Sequence, residues 1–178
     1  KVQAAALGGA EVLLPEEPRI EVGWADNLRG QVRPPPNKPD DEERRNLEKA
    51  VQHLERAREF ISNDMALYAD ANGYYEDVNE AIRVGRLLEK YNYRYFEEPV
   101  FFDWLDGTKQ VADGLSIPVA GGEQQHSVFA FRWLLANNGL DIVQPDHYYF
   151  GGMIRSLKVA KMGHAMGKKC IPHLSGGF

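Results

Sequence analysis

The sequence predicts an α/β fold in which parallel strands alternate with helices and close as a (β/α) barrel of the TIM type. From residue 65 onward one unit recurs: a short apolar run ends in an acidic residue or a histidine, a loop follows, and an amphipathic segment comes next. Short apolar strands are expected where both faces of a parallel sheet are covered. Strands alternating with helices through short connections indicate parallel βαβ units. The five runs cover residues 65–69, 93–96, 117–120, 141–144 and 170–172.

Helices are predicted from apolar residues that return every three or four positions, which places them on one face. Three such faces lie between the runs, and a longer helix precedes the first of them. The faces are Val78, Ile82 and Gly85; Val128, Phe131 and Leu135; and Ile154, Leu157 and Ala160; the longer helix carries Leu47, Ala50, Val51, Leu54, Ala57 and Ile61.

The polar residues that end the five predicted strands are spaced by one βα unit each. They are Asp70, Glu97, Glu123, Asp146 and His173. In a closed barrel all strand ends point to the face where active sites lie, so these five ionisable groups would converge. An open doubly wound sheet would spread them along a line. We therefore predict the barrel, with the chain covering about strands 2 to 7.

Composition excludes several classes of protein. The 178 residues are enough for one domain with a core, and 43% hydrophobic with 26% charged residues is ordinary for a globular chain. A net charge of −5 gives no basic surface for nucleic acid. No apolar run approaches the roughly 18 residues that span a bilayer, so we expect no membrane partner. The single cysteine, Cys170, cannot form an intrachain disulfide, which is compatible with a reducing cytoplasm.

The first forty residues do not follow the repeat. Lys1-Val2 reads as the middle of a strand, and residues 7–40 form a long excursion rich in proline and glycine. Such lengths are typical of lids or mobile surface loops. We expect residues 1–178 to be a partial barrel domain that is truncated at both ends relative to the working enzyme, and we expect no N-terminal capping domain within these residues.

Three carboxylates on consecutive strands predict a cation site. Asp70, Glu97 and Glu123 aimed at one point would repel one another without an ion between them. Hard divalent cations take oxygen ligands, and Mg²⁺ also binds waters and substrate oxygens. Each residue alone has an ordinary explanation: a turn residue, an exposed acid before a proline, or the start of a helix. The common register of the three favours the cation.

Asp146 and His173 lie on the next two predicted strands. A carboxylate bonded to one imidazole nitrogen fixes the tautomer and raises the basicity of the other nitrogen. A lone histidine is more often structural or solvated, but the position of His173 one unit after Asp146 favours a general base or acid. His53, His126, His147 and His164 lack that register.

Five short motifs carry a resemblance to a known family. They are Asp70-Ala71-Asn72-Gly73, Glu97-Glu98-Pro99, Gly121-Gly122-Glu123, Gln144-Pro145-Asp146 and Pro172-His173. In order and spacing they resemble the mandelate racemase/muconate lactonizing enzyme group of the enolase superfamily, from about residue 65 to the end. The resemblance implies a modified (β/α)7β barrel, one Mg²⁺ on Asp70, Glu97 and Glu123, and a His173–Asp146 dyad. It favours Glu97 over Glu98 as ligand, and Asn72 two residues beyond the first ligand is a candidate for substrate binding.

One feature departs from the family pattern. The family usually carries Lys-x-Lys on its second strand, whereas this chain has Lys1-Val2-Gln3. If Lys1 is the first lysine of the pair, Gln3 replaces the second, and a two-base racemase loses its partner base. If Lys1 is the second, its neighbour lies outside the sequence. Both alignments stay open, with Lys1 as a catalytic candidate and Gln3 as a substrate-binding one.

The function expected from these residues is Mg²⁺-dependent dehydration of a sugar acid or similar polyhydroxy carboxylate. Removal of the α-proton gives an enediolate whose charge the metal stabilises, and a β-hydroxyl then leaves. The first alternative is a racemase or epimerase working through the same intermediate. The second is a barrel-derived binding protein without activity. We expect a small carboxylate as partner, a homo-oligomer, and a cytoplasmic location.

Overall fold

The computed structural model describes residues 41–61 and 64–175, with side chains from residue 49 onward except that of residue 50. A long helix, α1 (Asp41–Phe60), precedes four strand–helix units and a last strand. Lys1, Gln3 and the predicted excursion at 7–40 lie outside the described residues. The elements that follow α1 are β1 (Ala69–Asp70), α2 (Val78–Lys90), β2 (Phe96–Glu97), α3 (Leu105–Gly114), β3 (Val119–Gly121), α4 (Val128–Ala136), β4 (Ile142–Val143), α5 (Met153–Ala165) and β5 (Lys169–Cys170).

The five strands form one parallel sheet in the order β1-β2-β3-β4-β5. Each strand pairs with the next along the chain, and each helix packs against the following helix. A doubly wound sheet reverses its strand order at a switch point, and this sheet does not. The sequential order confirms the predicted α/β class and is the arrangement of a barrel wall.

Local signals explain where two of the helices begin. The Asp77 carboxylate accepts a hydrogen bond from the backbone N–H of Asn79 (2.8 Å) at the start of α2. The Ser127 hydroxyl does the same for Phe129 (3.2 Å) at the start of α4. Such N-caps satisfy backbone donors that the first helical turn leaves without intrahelical partners. Both caps lie in the loops after a strand, so they also fix where those loops end.

The main core lies between the sheet and the helices α2 to α5. Its centre is Phe131, which is fully buried and packs edge-on against Phe150, with ring centroids 5.2 Å apart. A second cluster under α1 and α2 surrounds Phe96 and Leu88. Burial of apolar surface supplies most of the stabilisation of such helix–sheet layers.

The predicted face of α5 is wrong. The spacing of Ile154, Leu157 and Ala160 predicted the packed side, but Ile154 is 78% exposed and Leu157 52% exposed. The buried residues of α5 are instead Ser156, Val159 and Gly163. The packed stripe consists of small residues because the helix lies close to β4, where Gly163 faces Val143. The structure also contains helix α3, for which the sequence periodicity predicted no apolar face.

Phe131→Ala should lower the free energy of unfolding by about 3–5 kcal/mol, because it removes a fully buried ring from the main core. The matched control is Phe129→Ala on the same helix, where the ring is 71% exposed and the change should stay within about 0.5 kcal/mol. Urea unfolding measures both values. Equal losses for the two variants would contradict this description of α4.

Candidate active site

Two of the predicted acids are directly paired by the sheet. Asp70 and Glu97 are register partners at the carboxyl ends of β1 and β2. Glu97 is also paired with Ala120 of β3, and Glu123 follows three residues later, beyond a Gly-Gly turn. Parallel register places the three strand ends side by side. The structure therefore brings the three predicted ligands to one edge of the sheet.

The buried acids at this edge ionise less readily than free carboxyl groups. Burial raises the pKa of Glu97, and the neighbouring charges of Asp70 and Glu123 raise it further, while a hydrogen bond from Gln144 opposes them. Burial likewise raises the pKa of Glu123, with Asp70 and Asp146 adding to the effect and His173 opposing it. The edge therefore carries more negative charge than its own hydrogen bonds stabilise.

The chemistry of the donors fits a hard cation, although the side chains do not form a closed cage. Among residues 41–61 and 64–175, no three histidine, cysteine or acidic side chains stand together closely enough to hold a metal ion as they lie. Three carboxylates from adjacent strand ends are nevertheless the oxygen ligands that Mg²⁺ takes. Their mutual repulsion is what a cation would relieve. Binding would require these side chains to turn toward a common point.

Asp146 and His173 form a dyad. The His173 Nδ1 lies 2.7 Å from Asp146 Oδ2, and Asp146 is completely buried. The other donors to this carboxylate are backbone N–H groups, from Tyr148 (2.6 Å) and Tyr149 (2.8 Å) to Oδ1 and from Ser175 (2.7 Å) to Oδ2. Burial works against ionisation, but these hydrogen bonds outweigh it and hold the pKa of Asp146 well below its usual range. Asp146 is thus a fixed anion that orients the imidazole.

The second ring nitrogen of His173 faces the predicted ligands. Its Nε2 lies 3.2 Å from Glu123 Oε2. Burial lowers the pKa of His173, but the hydrogen bond that its ring donates to Asp146 and the charge of Glu123 more than compensate, so the pKa is raised. A ring held at Nδ1 by a carboxylate has Nε2 available for proton transfer. His173 thus contacts Asp146 through one ring nitrogen and Glu123 through the other.

Asn72 lies at the rim of the same edge, in a left-handed turn after β1 with φ 47°. Its backbone N–H donates to Asp70 (2.9 Å), and its Oδ1 accepts from Gln124 Nε2 (3.3 Å). A cavity of about 410 Å³ opens there, lined by Asn72, Phe102, Glu123, Gln124 and Tyr149. Amides and aromatic rings are suited to the hydroxyl groups and C–H faces of a polyol.

The motifs include Gln144 but assigned its side chain no role, they do not include Gln124, and they treated Glu98 only as the rejected ligand. Glu98 is buried, and its carboxylate accepts from the Gly122 N–H (3.3 Å) and from Gln124 Nε2 (3.1 Å). Burial and the charge of Glu123 raise the pKa of Glu98 to about 7. The Glu98 side chain is thus hydrogen-bonded to two residues of the loop that follows β3. Glutamines have no periodic signal, so spacing alone could not have assigned a contact to either side chain.

A larger cavity of about 830 Å³ lies at the opposite ends of the strands. It is lined by residues that precede the strands, among them Arg94, Pro118 and Lys168, and by none of the predicted site residues. Active sites of (β/α) barrels lie at the carboxyl ends. The smaller cavity beside Glu123 is therefore the one that belongs to the candidate site.

The family is settled by comparison with known proteins. The family model described as enolase C-terminal domain-like matches residues 20–178. The chain belongs to this family, which confirms the resemblance drawn from the five motifs and identifies the sheet as part of a (β/α) barrel of the enolase superfamily.

Relatives with described activities include dehydratases and racemases. An arabinonate dehydratase from Saccharolobus solfataricus is 35% identical over 133 residues, which are 75% of this chain and 35% of that protein. The structure of L-talarate/galactarate dehydratase from Salmonella typhimurium LT2, liganded with Mg and L-lyxarohydroxamate, has a TM-score of 0.65 and 34% identity, covering 69% of this chain and 31% of the other. A racemase from Streptomyces coelicolor A3(2) with bound magnesium has a TM-score of 0.68 and 28% identity, covering 71% and 35%.

The chain spans about a third of the length of these relatives. No helix in the described part of the chain is both long and apolar enough to cross a bilayer.

Gly122→Ala should destabilise the protein by roughly 2–5 kcal/mol, because two costs add. Gly122 has φ 104°, and a Cβ there would lie 2.5 Å from the buried Phe131 ring. The control is Gly167→Ala, where φ is 72° but no atom lies within 4 Å, so only the backbone cost of about 1–2 kcal/mol remains. Chemical denaturation compares the two; a Gly122 variant no worse than the control would refute the close approach to Phe131.

Proposed function

We infer that this chain carries the metal-binding and proton-transfer residues of a Mg²⁺-dependent sugar-acid dehydratase. The observation that carries the proposal is the chain of contacts from Asp146 through His173 to Glu123 at the carboxyl edge of the sheet. Asp70 and Glu97 lie on the neighbouring strand ends. The sugar-acid dehydratases among the relatives support the reaction class, and their Mg-liganded structure supports the ion.

Asp70, Glu97 and Glu123 are the residues that would hold Mg²⁺. When bound, the ion would stabilise the negative charge that develops on the substrate carboxylate as its α-proton leaves. Its positive charge would also favour the ionised forms of Glu97 and Glu123, whose pKa values are raised without it. Affinity for the metal therefore comes from relief of repulsion as well as from direct ligation.

His173 is the proposed general base. Asp146 holds Nδ1–H, so Nε2 accepts the α-proton and the resulting imidazolium is stabilised by the buried carboxylate. The same proton can then be donated to a departing β-hydroxyl, which completes the loss of water. Asn72 and the cavity beside Glu123 would bind the hydroxyl-bearing part of the substrate. Lys1 and Gln3 lie outside the described residues. Lys1 stays a candidate catalytic residue, and Gln3 stays a candidate for binding the substrate.

Racemisation or epimerisation is the second candidate, supported by the magnesium-bound racemase among the structural relatives. The two reactions separate when the full-length protein is incubated with arabinonate, galactarate and other sugar acids in D₂O with Mg²⁺. We expect a keto product without accumulation of inverted substrate. Deuterium at the α-carbon of an inverted acid would establish racemisation instead.

His173→Ala should abolish turnover, a loss of about 10²–10⁴-fold in kcat, because the general base is removed. Its affinity for Mg²⁺ should stay within about threefold, since the three acids remain. His164→Ala, at the exposed end of α5, is the matched control and should change neither value. Steady-state kinetics and calorimetric titration with Mg²⁺ measure the two effects, and full activity of the His173 variant would remove it from the mechanism.

Glu97→Gln should weaken Mg²⁺ binding by at least about tenfold, because an anionic ligand becomes neutral. Glu98→Gln is the adjacent control: its carboxylate bonds Gly122 and Gln124, so we expect a change of less than about threefold. Calorimetry on both variants decides between the neighbouring acids. A larger loss at Glu98 would reverse the assignment, and absence of Mg²⁺ binding by the unaltered protein would favour the non-catalytic alternative.

A further inference from the structure

Gln124 lies where three loops of the candidate site meet. It follows Glu123 directly, is half-buried and lines the cavity of about 410 Å³. Its Nε2 atom lies 3.1 Å from Oε2 of Glu98, which follows β2, and 3.3 Å from Oδ1 of Asn72 in the turn after β1. One side-chain nitrogen therefore joins the loops that follow β1, β2 and β3.

These two contacts fix which way both amides point. A side-chain amide nitrogen carries two N–H donors and no acceptor. Exchanging the nitrogen and oxygen of Gln124 would set an oxygen against the Glu98 carboxylate, which already accepts from the Gly122 N–H. Gln124 therefore donates to Asn72, and Asn72 must present its oxygen. The Asn72 Nδ2 group consequently points away from Gln124, and none of the described residues accepts a hydrogen bond from it.

The amide nitrogen of Asn72 matters because the cavity has few side-chain donors. Of the residues that line it, Phe102 has no polar side-chain atom, Glu123 accepts as a carboxylate, and both donors of Gln124 are in use. The remaining donors are the Nδ2 group of Asn72 and the hydroxyl of Tyr149. Each oxygen of a polyhydroxy acid can accept a hydrogen bond. The orientation of Asn72 therefore decides whether the cavity offers a donor to such an oxygen.

Asn72 would not keep this orientation by itself. The residue is exposed, and the terminal torsion of an asparagine side chain is broad, so the amide can present either its oxygen or its nitrogen. The backbone is held at φ 47° and by the N–H contact to Asp70, but neither feature restrains the amide. The restraint comes from Gln124, which is itself held by the buried Glu98.

We propose that Gln124 is a positioning residue for Asn72, whose amide nitrogen it directs toward a hydroxyl oxygen of the substrate. This inference rests on the proposed function, because it requires a hydroxyl-bearing acid in the cavity. The contacts from Glu98 through Gln124 to Asn72 make this part of the cavity a donor. They do not involve His173, so substrate binding and proton transfer can be tested separately.

The test is a double-mutant cycle of Gln124→Met and Asn72→Gly in the full-length protein. It uses the sugar acid that the unaltered protein turns over fastest, with arabinonate and galactarate tested first. Glycine is chosen because it adopts the φ of 47° at residue 72 without strain. Each single variant should raise KM about 5–10-fold, the loss of one neutral hydrogen bond, while kcat stays within about threefold. The double variant should match Asn72→Gly within about twofold, because Gln124 acts only through Asn72.

Gln110→Met, at an exposed position of α3, is the matched control and should leave KM and kcat unchanged. Gln124→Ala is a second variant that removes the same donors without placing a new long side chain at the cavity. It should raise KM as Gln124→Met does. The affinity for Mg²⁺, measured by calorimetry, should stay within about threefold in all of these variants, because the three proposed ligands remain.

Each other outcome is decisive. Effects that multiply in the double variant would show that Gln124 acts on the substrate independently of Asn72, which overturns the positioning role. An unchanged KM in both Gln124 variants would overturn it as well, and in either case the proposed function stands. If both Gln124 variants fail to fold or lose Mg²⁺ binding, the residue is structural and the inference is refuted. If the unaltered protein turns over none of the sugar acids, the proposed function fails and the inference fails with it.

Discussion

Negative charge gathered at the carboxyl ends of parallel strands is the constraint on which the site depends. Sequential strand order brings Asp70, Glu97, Glu123 and Asp146 to one edge, and all but Asp70 are buried. A buried carboxylate needs hydrogen-bond donors, a cation or a proton. Asp146 meets this need with four donors, whereas at Glu97 and Glu123 burial and the neighbouring carboxylates raise the pKa.

This difference separates the roles of the four acids. A carboxylate that already accepts from three backbone N–H groups and an imidazole has little to gain from a metal, but it is rigid enough to orient His173. Carboxylates whose pKa values are raised by burial and by one another gain most from a cation. The roles proposed for these acids, orientation of His173 and metal binding, therefore follow from the number of donors that each acid has, which is a property of the loops and not of residue type.

The positions of the strand ends could be predicted from the sequence because their spacing reflects the βα repeat. The length of that repeat is fixed by one strand, one helix and two loops. The sequence predicted the edge that holds Asp70, Glu97, Glu123 and His173. It failed on α5, where small residues and not Ile154 and Leu157 face the sheet, since close helix packing selects small size over hydrophobicity. Gln124 donates hydrogen bonds to Asn72 and Glu98 from a distant part of the chain, and no linear pattern records such contacts.

Dehydration and racemisation differ in the number of proton-transfer groups that each reaction needs. Among residues 64–175, His173 is the one histidine or lysine side chain that contacts the strand-end acids Glu123 and Asp146. Loss of a β-hydroxyl can use a single group that takes the α-proton and returns it to the leaving oxygen, whereas inversion needs a second group on the opposite face of the enediolate. The described residues supply the first requirement. An alignment that places Gln3 where the family has its second lysine agrees with dehydration, and one that makes Lys1 that lysine would restore the two-base arrangement. Under the proposed function, the reaction type therefore depends on the basic group facing His173 across the substrate, while the proposed metal ligands and the Asp146–His173 pair would serve both reactions equally.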